Sequence, residues 1–428
     1  MNKTLSRFTY VTFIILFFII APLLIFYALG YRYNWTNRNI EKNGALYVKS
    51  YPRNADIFID NKKIKQKTPT QFVEISSGKY DVAIKKDQYV TWTKKLEIRS
   101  GETTFAEDIV LFLAERKKTE LSGGGSDWIV NKQSSQYGFL DAENNLTITD
   151  IEQDKAFVVF KFSEQYQLVD WSPDNQEILL QLDNIYYLFN LNQKNIKPLK
   201  INEVDKIIWD NNDPTLLWYQ KNNKIFRHYI STVSSPDEEL NVSLNFSDFD
   251  LTGDYILALT TENKNYQFQK IRKNNLEIID TIANINQGQL KAWQADEELS
   301  IFALGASFYV KKKDSNPVII PHTIADIHDD RILYTNGYET SLYNFKEGWS
   351  ALIDRSTKIV TDILWHPKGS YFLSESNEQT AITEIDGRDK RNTISILENP
   401  LKKLYLFNKK GDKLFILNNE ENFYLTIQ

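Results

Sequence analysis

The chain has 428 residues, a formal net charge of −5, 42% hydrophobic and 25% charged residues, four histidines and no cysteine. Without cysteine there is no thiol nucleophile and no thiolate metal site. The acidic excess lies in residues 123–428, with 44 Asp+Glu against 31 Lys+Arg, and this disfavours nucleic acid as a partner.

The first element lies between Arg7 and Arg32, where 24 residues, Phe8 to Tyr31, carry no charge and are dominated by Phe, Ile and Leu. A helix of ~20 apolar residues rising 1.5 Å each crosses the hydrocarbon core of a bilayer. We therefore expect a short cytoplasmic tail at 1–7 and a transmembrane helix at 8–30. Pro22 is tolerated inside it, and Tyr31, Tyr33 and Trp35 follow at interfacial depth. A cleaved signal peptide is the alternative, with Ala28-Leu29-Gly30 as the small-residue site. An apolar signal region is about 7–15 residues, shorter than this run. The expectation is a single-pass anchor in the cell membrane with the C-terminal domains outside the cytoplasm.

Residues 43–113 alternate apolar and polar with period two, as in Leu46/Val48, Ile57/Ile59, Val82/Ile84 and Leu96/Ile98, separated by turn-rich breaks. This pattern predicts a small antiparallel β-sandwich. The line Gly44-Ala45-Leu46-Tyr47-Val48 through Tyr51-Pro52-Arg53-Asn54-Ala55 to Asp60-Asn61 resembles the PEGA domain. Thr68-Pro69, Gly78-Lys79-Tyr80-Asp81-Val82 and Tyr89-Val90-Thr91-Trp92 follow in order. The naming tetrad here is Pro52-Arg53-Asn54-Ala55; Asn54 replaces a glycine at a turn that needs positive φ, and Gln88 stands where the family has Gly. The resemblance implies a β-sandwich module of bacterial and archaeal surface proteins and implies no catalysis. Residues 114–127, with Gly123-Gly124-Gly125-Ser126, read as a flexible linker.

From Trp128 to Phe407 a β-type run, a bulky anchor, a turn and another apolar run recur. The anchors are Trp128, Trp171, Trp209, Phe249, Trp293, His328, Trp365 and Phe407, with a period near 40 residues. Such a period with short strands predicts a β-propeller over 128–428, one four-stranded blade per repeat, with seven or eight blades and eight favoured. In Trp171-Ser172-Pro173-Asp174-Asn175 and Trp365-His366-Pro367-Lys368-Gly369, proline presets the turn. Asn or Gly two residues on tolerates the left-handed conformation. These lines resemble the WD40-like repeat of TolB-type and prolyl-peptidase-type propellers. The last repeat supplies three strands, Leu404–Phe407, Lys413–Leu417 and Phe423–Ile427. A strand from residues 115–131 is expected to complete its blade and hide an open edge.

Residues 31–122 carry 18 Lys+Arg against 12 Asp+Glu, whereas 123–428 carry 31 against 44. A basic stem suits anionic lipid or wall polymer, although a solvated lysine-rich face, for instance Lys62, Lys63, Lys65 and Lys67, explains it too. No catalytic, cofactor or metal residues emerge. His228, His322, His328 and His366 lack ligand spacing, and no Gly-x-Ser-x-Gly elbow exists. Asp170, Asp174, Asp210, Asp213 and Asp254 read as turn residues. Asp141, Glu143, Asn144 and Asn145 loosely resemble a calcium loop without its glycine and terminal Glu. The tryptophan anchors read as core, and His366 as a turn residue.

The all-β chain with its N-terminal helix thus reads as a membrane-anchored extracytoplasmic binding or scaffold protein. Its propeller would face an envelope protein or glycan. The alternative is a propeller enzyme cleaving polysaccharide or peptide with acidic residues at the central channel, which requires carboxylates converging with shifted pKa values.

Overall fold

The computed structural model describes residues 3–28, 30–34, 38–131, 135–153, 155–230, 237–398 and 404–428. They form two compact units, Met1–Lys117 with Thr383–Ile394 and Thr426–Gln428, and Lys118–Ile382 with Ser395–Leu425.

The first unit opens with helix α1, Lys3–Ala28, which contains Pro22. It starts inside the expected tail. Residues 3–7, Lys-Thr-Leu-Ser-Arg, extend the helix beyond the uncharged run, so the unpaired amides of its first turn fall outside that run. From Thr9 to Ala28 none of the helix is buried by the protein. Gly30 then turns the chain at a φ of 85°, and Tyr31–Asn34 pairs antiparallel with Asn39–Lys42. The sequence pattern did not announce this hairpin, because four-residue strands are too short to display a period. Trp35 lies outside the described residues.

A sandwich follows. One sheet has the order Thr70–Ile75, Gly44–Tyr51, Thr103–Val110, and the other Lys62–Lys67, Asp56–Ile59, Gly78–Lys85, Trp92–Ile98. The alternating residues Leu46, Val48, Ile57, Val82, Ile84 and Leu96 are buried between them. Each contributes about 1.5–3 kcal/mol relative to exposure. The sandwich is not wholly antiparallel: Gly44–Tyr51 runs parallel to Thr103–Val110. Period-two alternation is common to both pairings, and the connection from one strand to the other passes through the opposite sheet. Asn54 has a φ of 62° and Gln88 a φ of 69°. The turn at Gln88 survives without its glycine, held by the Ala114 amide donating to the Gln88 carbonyl at 2.9 Å.

Thr383–Ile394 folds with this unit. The Lys94 ammonium, with no exposed side-chain surface, lies 2.9 Å from Glu384 Oε2 and 3.4 Å from Asp386 Oδ2. The Trp92 indole donates to Glu384 Oε1 at 2.9 Å. Burial pushes the Asp386 carboxyl up, but hydrogen bonds from Arg388 and the charge of Lys94 outweigh it and bring the group to about 2. A buried pair of this kind fixes geometry more than it adds stability.

Eight further four-stranded sheets occur among the described residues, all in the second unit except that Thr383–Ile394 of the seventh and Thr426 of the eighth are counted with the first. Numbered as blades along the chain, they span 126–161, 167–202, 206–239, 246–285, 290–321, 324–355, 360–398 and, for blade 8, 404–426 together with Lys118–Gly123. Each expected anchor lies on the first strand of its blade. Alternate residues of a strand face opposite neighbours. Ile178 and Leu180 join the cluster shared by blades 1 and 2, and Leu179 joins that of blades 2 and 3. Several hairpins between second and third strands are two-residue turns with both residues at positive φ: Asp183-Asn184, Asn222-Asn223 and Asn263-Lys264. The abundant asparagines serve this left-handed geometry. Asn175 and Gly369, in the two clearest repeats, have φ of 61° and 66°.

Blade 8 is completed by Lys118–Gly123, antiparallel to Glu421–Thr426 with Lys118 opposite Leu425 and Gly123 opposite Glu421. The closing strand thus lies within the stretch expected to be a flexible linker, and that reading is overturned. The glycines are there for close approach. A Cβ on Gly124 would overlap the backbone of Asn419 and Glu420, and one on Gly125 the Phe139 ring and the Leu140 carbonyl.

Candidate functional site at the inner strands

First strands pack against one another between blades 1 and 2, 2 and 3, 4 and 5, and 6 and 7, on the side that faces the centre of the ring. Several present aspartates just before an apolar residue. Asp170, Asp248, Asp250, Asp326 and Asp362 each accept, through Oδ1, the amide of the following residue at 2.8–3.0 Å. In blades 2, 4 and 7 the ladder is bulged immediately before Asp170, Asp248 and Asp362.

The second oxygen reaches the next blade. Asp248 Oδ2 accepts the Leu290 amide at 2.6 Å, Asp250 Oδ2 the Ala292 amide at 2.8 Å, and Asp326 Oδ2 the Trp365 amide at 2.8 Å. The Trp209 amide of blade 3 lies close enough to Asp170 to lower its carboxyl. Lys206 of blade 3 adds an ion pair to Asp248 at 2.9 Å. Asp248, Asp250 and Asp326 are staples between successive inner strands. Asp170 lies on the strand Gln167–Trp171, where it accepts the Trp171 amide, and not in the turn expected from its sequence neighbourhood. Turn chemistry does hold for Asp174, which accepts the Gln176 amide. It also holds for Asp210, which accepts those of Asn212 and Asp213, and for Asp213, which accepts that of Thr215. Asp254 accepts the side-chain amide of Asn212 in the preceding blade.

The electrostatics follow from burial. Desolvation raises the carboxyls of Asp170 and Asp250, and each feels a further aspartate, Asp250 and Asp248 respectively. Burial pushes Asp362 up to about 6, aided by the nearby charge of Asp326 and opposed by the Ile363 amide. Carboxylates with shifted pKa values thus gather at the centre. The second oxygens of Asp248, Asp250 and Asp326 are spent on backbone amides of the next blade. A recurrence visible in the sequence, Asp170, Asp248 and Asp326 spaced 78 residues apart, or two repeats, is the signal that would have found them.

The histidines are dispersed. His366 is buried, its Nε2 lies 2.9 Å from the Gly411 carbonyl, and burial lowers it to about 4. It bridges the turns of blades 7 and 8. Gly411, at a φ of 75°, leaves the room this requires. His322 is lowered by burial and packs near Trp293 and Phe308. His328 packs against Trp365 at 5.6 Å. His228 Nδ1 lies 2.7 Å from Asp237 Oδ1, and the Tyr219 hydroxyl donates to Asp237 Oδ2 at 2.6 Å. Among the described residues no cluster of three His, Asp or Glu side chains is arranged to hold a metal. The calcium-like stretch is a turn: Asp141 Oδ1 accepts the amides of Glu143 and Asn145, and Oδ2 accepts the Asn145 side chain.

The anchors Trp171, Trp209 and Trp365 are buried, which leaves no free ring face for sugar stacking. Trp128 and Trp293 are half-buried.

Residues 43–108 match the PEGA domain family. No curated protein matches the chain. Among solved structures the C-terminal WD40 domain of Sif2 aligns with a TM-score of 0.51 at 12% identity, covering 73% of this chain and 98% of that one. The Dos1 propeller aligns at 0.47 and 12% identity, over 72% and 93% of the two chains. BamB from Moraxella catarrhalis aligns at 0.46 and 7% identity, over 72% and 99%. The likeness to the Sif2 domain places residues of this chain in a WD40-type β-propeller fold.

Proposed function

We propose that this protein is a membrane-anchored, extracytoplasmic binding or scaffold protein whose propeller engages a protein or glycan of the cell envelope. The observation that carries this reading is the use of the inner aspartates. Three of the five central carboxylates reach across to amides of the next blade, so most of the groups an enzyme would use are consumed in holding the ring. The unburied apolar face of α1 supports the anchor, and the PEGA match supports a surface-module role for 43–108. Crosslinking the full chain in native membranes and identifying the captured protein or glycan tests the proposal. A chain released by alkaline carbonate, or one whose mature N-terminus is Tyr31, overturns the anchor.

The second reading, a propeller hydrolase, is favoured by one observation: Asp362 is held near 6 beside Asp326, a range suited to a general acid. Polysaccharide or peptide cleavage by the purified chain that disappears in Asp362→Asn would establish it in place of the first.

A further inference from the structure

The hairpin that follows α1 belongs to no part of the PEGA match and has exposed apolar side chains. It is a closed excursion: the Gly30 amide donates to Tyr27 O at 3.1 Å, and the Asn43 amide returns to Gly30 O at 3.1 Å. Tyr31 meets the ring of Phe26 edge-on at 5.4 Å, tying the ribbon to the last turn of the helix. The register sets Tyr31 opposite Lys42 and Tyr33 opposite Ile40, so these four share one face. On that face Tyr33 is 47% and Ile40 61% exposed. Lys42 Nζ stands 5.7 Å from the centre of the Tyr31 ring, and Arg38 at the start of the returning strand is exposed.

A two-stranded ribbon is marginal in water by itself, and one that bares an aliphatic and an aromatic side chain calls for a covering surface. Its position limits the choice. If Thr9–Ala28 crosses the hydrocarbon, Gly30 lies at its boundary. Four strand residues at ~3.3 Å each reach about 13 Å, roughly twice the lipid headgroup layer of about 5–8 Å per leaflet, so the ribbon stays within that layer only by lying along the boundary. Tyrosine is suited to that layer, apolar ring inward and hydroxyl outward. The segment 31–42 carries Arg32, Arg38 and Lys42 against Glu41, a sign complementary to lipid phosphates.

We propose that this hairpin is an interfacial anchor lying in the headgroup layer of an anionic leaflet. Tyr31, Tyr33 and Ile40 meet the acyl boundary, and Arg38 and Lys42 meet acidic phospholipid headgroups. The inference rests on the spanning reading of α1. It adds a lipid preference and a fixed exit depth for the chain.

The absence of cysteine makes single-cysteine labelling of the full chain clean. Leu16→Cys, Ile40→Cys and Val73→Cys, labelled with an environment-sensitive dye, are reconstituted in nanodiscs of neutral lipid or of neutral and anionic lipid mixed. Nitroxide quenchers are placed at acyl depth, at headgroup depth or in water. The expected result is acyl quenching at 16, headgroup quenching at 40 that is stronger in anionic discs, and aqueous quenching alone at 73. Arg38→Gln and Lys42→Gln should each weaken the anionic preference about fivefold. Aqueous quenching at 40 with acyl quenching at 16 overturns the hairpin proposal and leaves the spanning helix standing. Aqueous quenching at 16 overturns the spanning reading itself. Protection of 40 from every quencher means a protein covers the ribbon, and equal headgroup quenching in both lipids removes the acidic-lipid assignment; either result overturns the proposal.

Discussion

Asp362 carries a carboxyl whose folded value of about 6 exceeds the unfolded value of about 3.9. Between those values the folded chain holds a proton the unfolded chain has lost. The group's favourable contribution is therefore complete below about pH 4 and fades as pH rises through about 6. Asp362→Asn keeps an acceptor for the Ile363 amide without the charge. After allowance for partial exposure it should stabilise the propeller by about 1–2 kcal/mol at neutral pH, with the gain vanishing near pH 4. Urea unfolding at both pH values checks this; a gain independent of pH would show that the ionised carboxylate is not the cause. Gln88 offers a second test, since its φ of 69° suits glycine. Gln88→Gly should raise stability by about 0.5–1 kcal/mol, the left-handed penalty less the entropy of glycine. Thermal melting reads this directly, and an unchanged or lower midpoint would count against strain there. Residue-scale roles were legible where chemistry is local, as at Asn54, Asn175 and Gly369. They were illegible at Asp248, because the partner of its second oxygen is the amide of Leu290 in the next blade and no short window contains both.

At the scale of elements, the aromatic anchors join sheets. Trp365 donates its indole N–H to Asp326 O at 3.1 Å and carries the Arg331 guanidinium 4.9 Å above its ring. Trp171 lies in the cluster shared by blades 1 and 2. Trp171→Ala and Trp365→Ala should each cost about 3–5 kcal/mol, the range for truncating a large buried aromatic. Chemical denaturation measures the loss. A midpoint that stays put while partner binding falls would make either residue a recognition surface. The repeat was readable because each blade combines a bulky residue, a turn signal and a second apolar run at one spacing. Strand direction was not readable: Gly44–Tyr51 and Thr103–Val110 alternate as antiparallel strands would, yet run parallel.

For the whole molecule, closure by Lys118–Gly123 makes the terminal blade depend on both ends of the propeller. Deleting Phe423–Gln428 should accelerate hydrogen exchange in blades 1 and 2 as well as around Phe407, because an open array loses its cooperative link. Exchange that rises only around Phe407 would mean that the ring does not rely on this pairing. The need for a closing strand was legible from the three strands of the last repeat. Its exact place was hidden, because Lys118–Gly123 is polar and runs into glycines that look like a linker.

Closure also sets a timetable. The partners Lys118 and Leu425 are synthesised about 300 residues apart, which at 5–20 residues per second is an interval of roughly 15–60 s. Throughout it the outer edge that will complete blade 8 is made but unmatched, while seven blades emerge behind it. A nascent chain is thus a ring with a waiting slot, and any strand of suitable register that arrives first competes for it. The charges of Lys118 and Glu120 then act as gatekeepers on the waiting edge during that delay, before Lys118 pairs with Glu421.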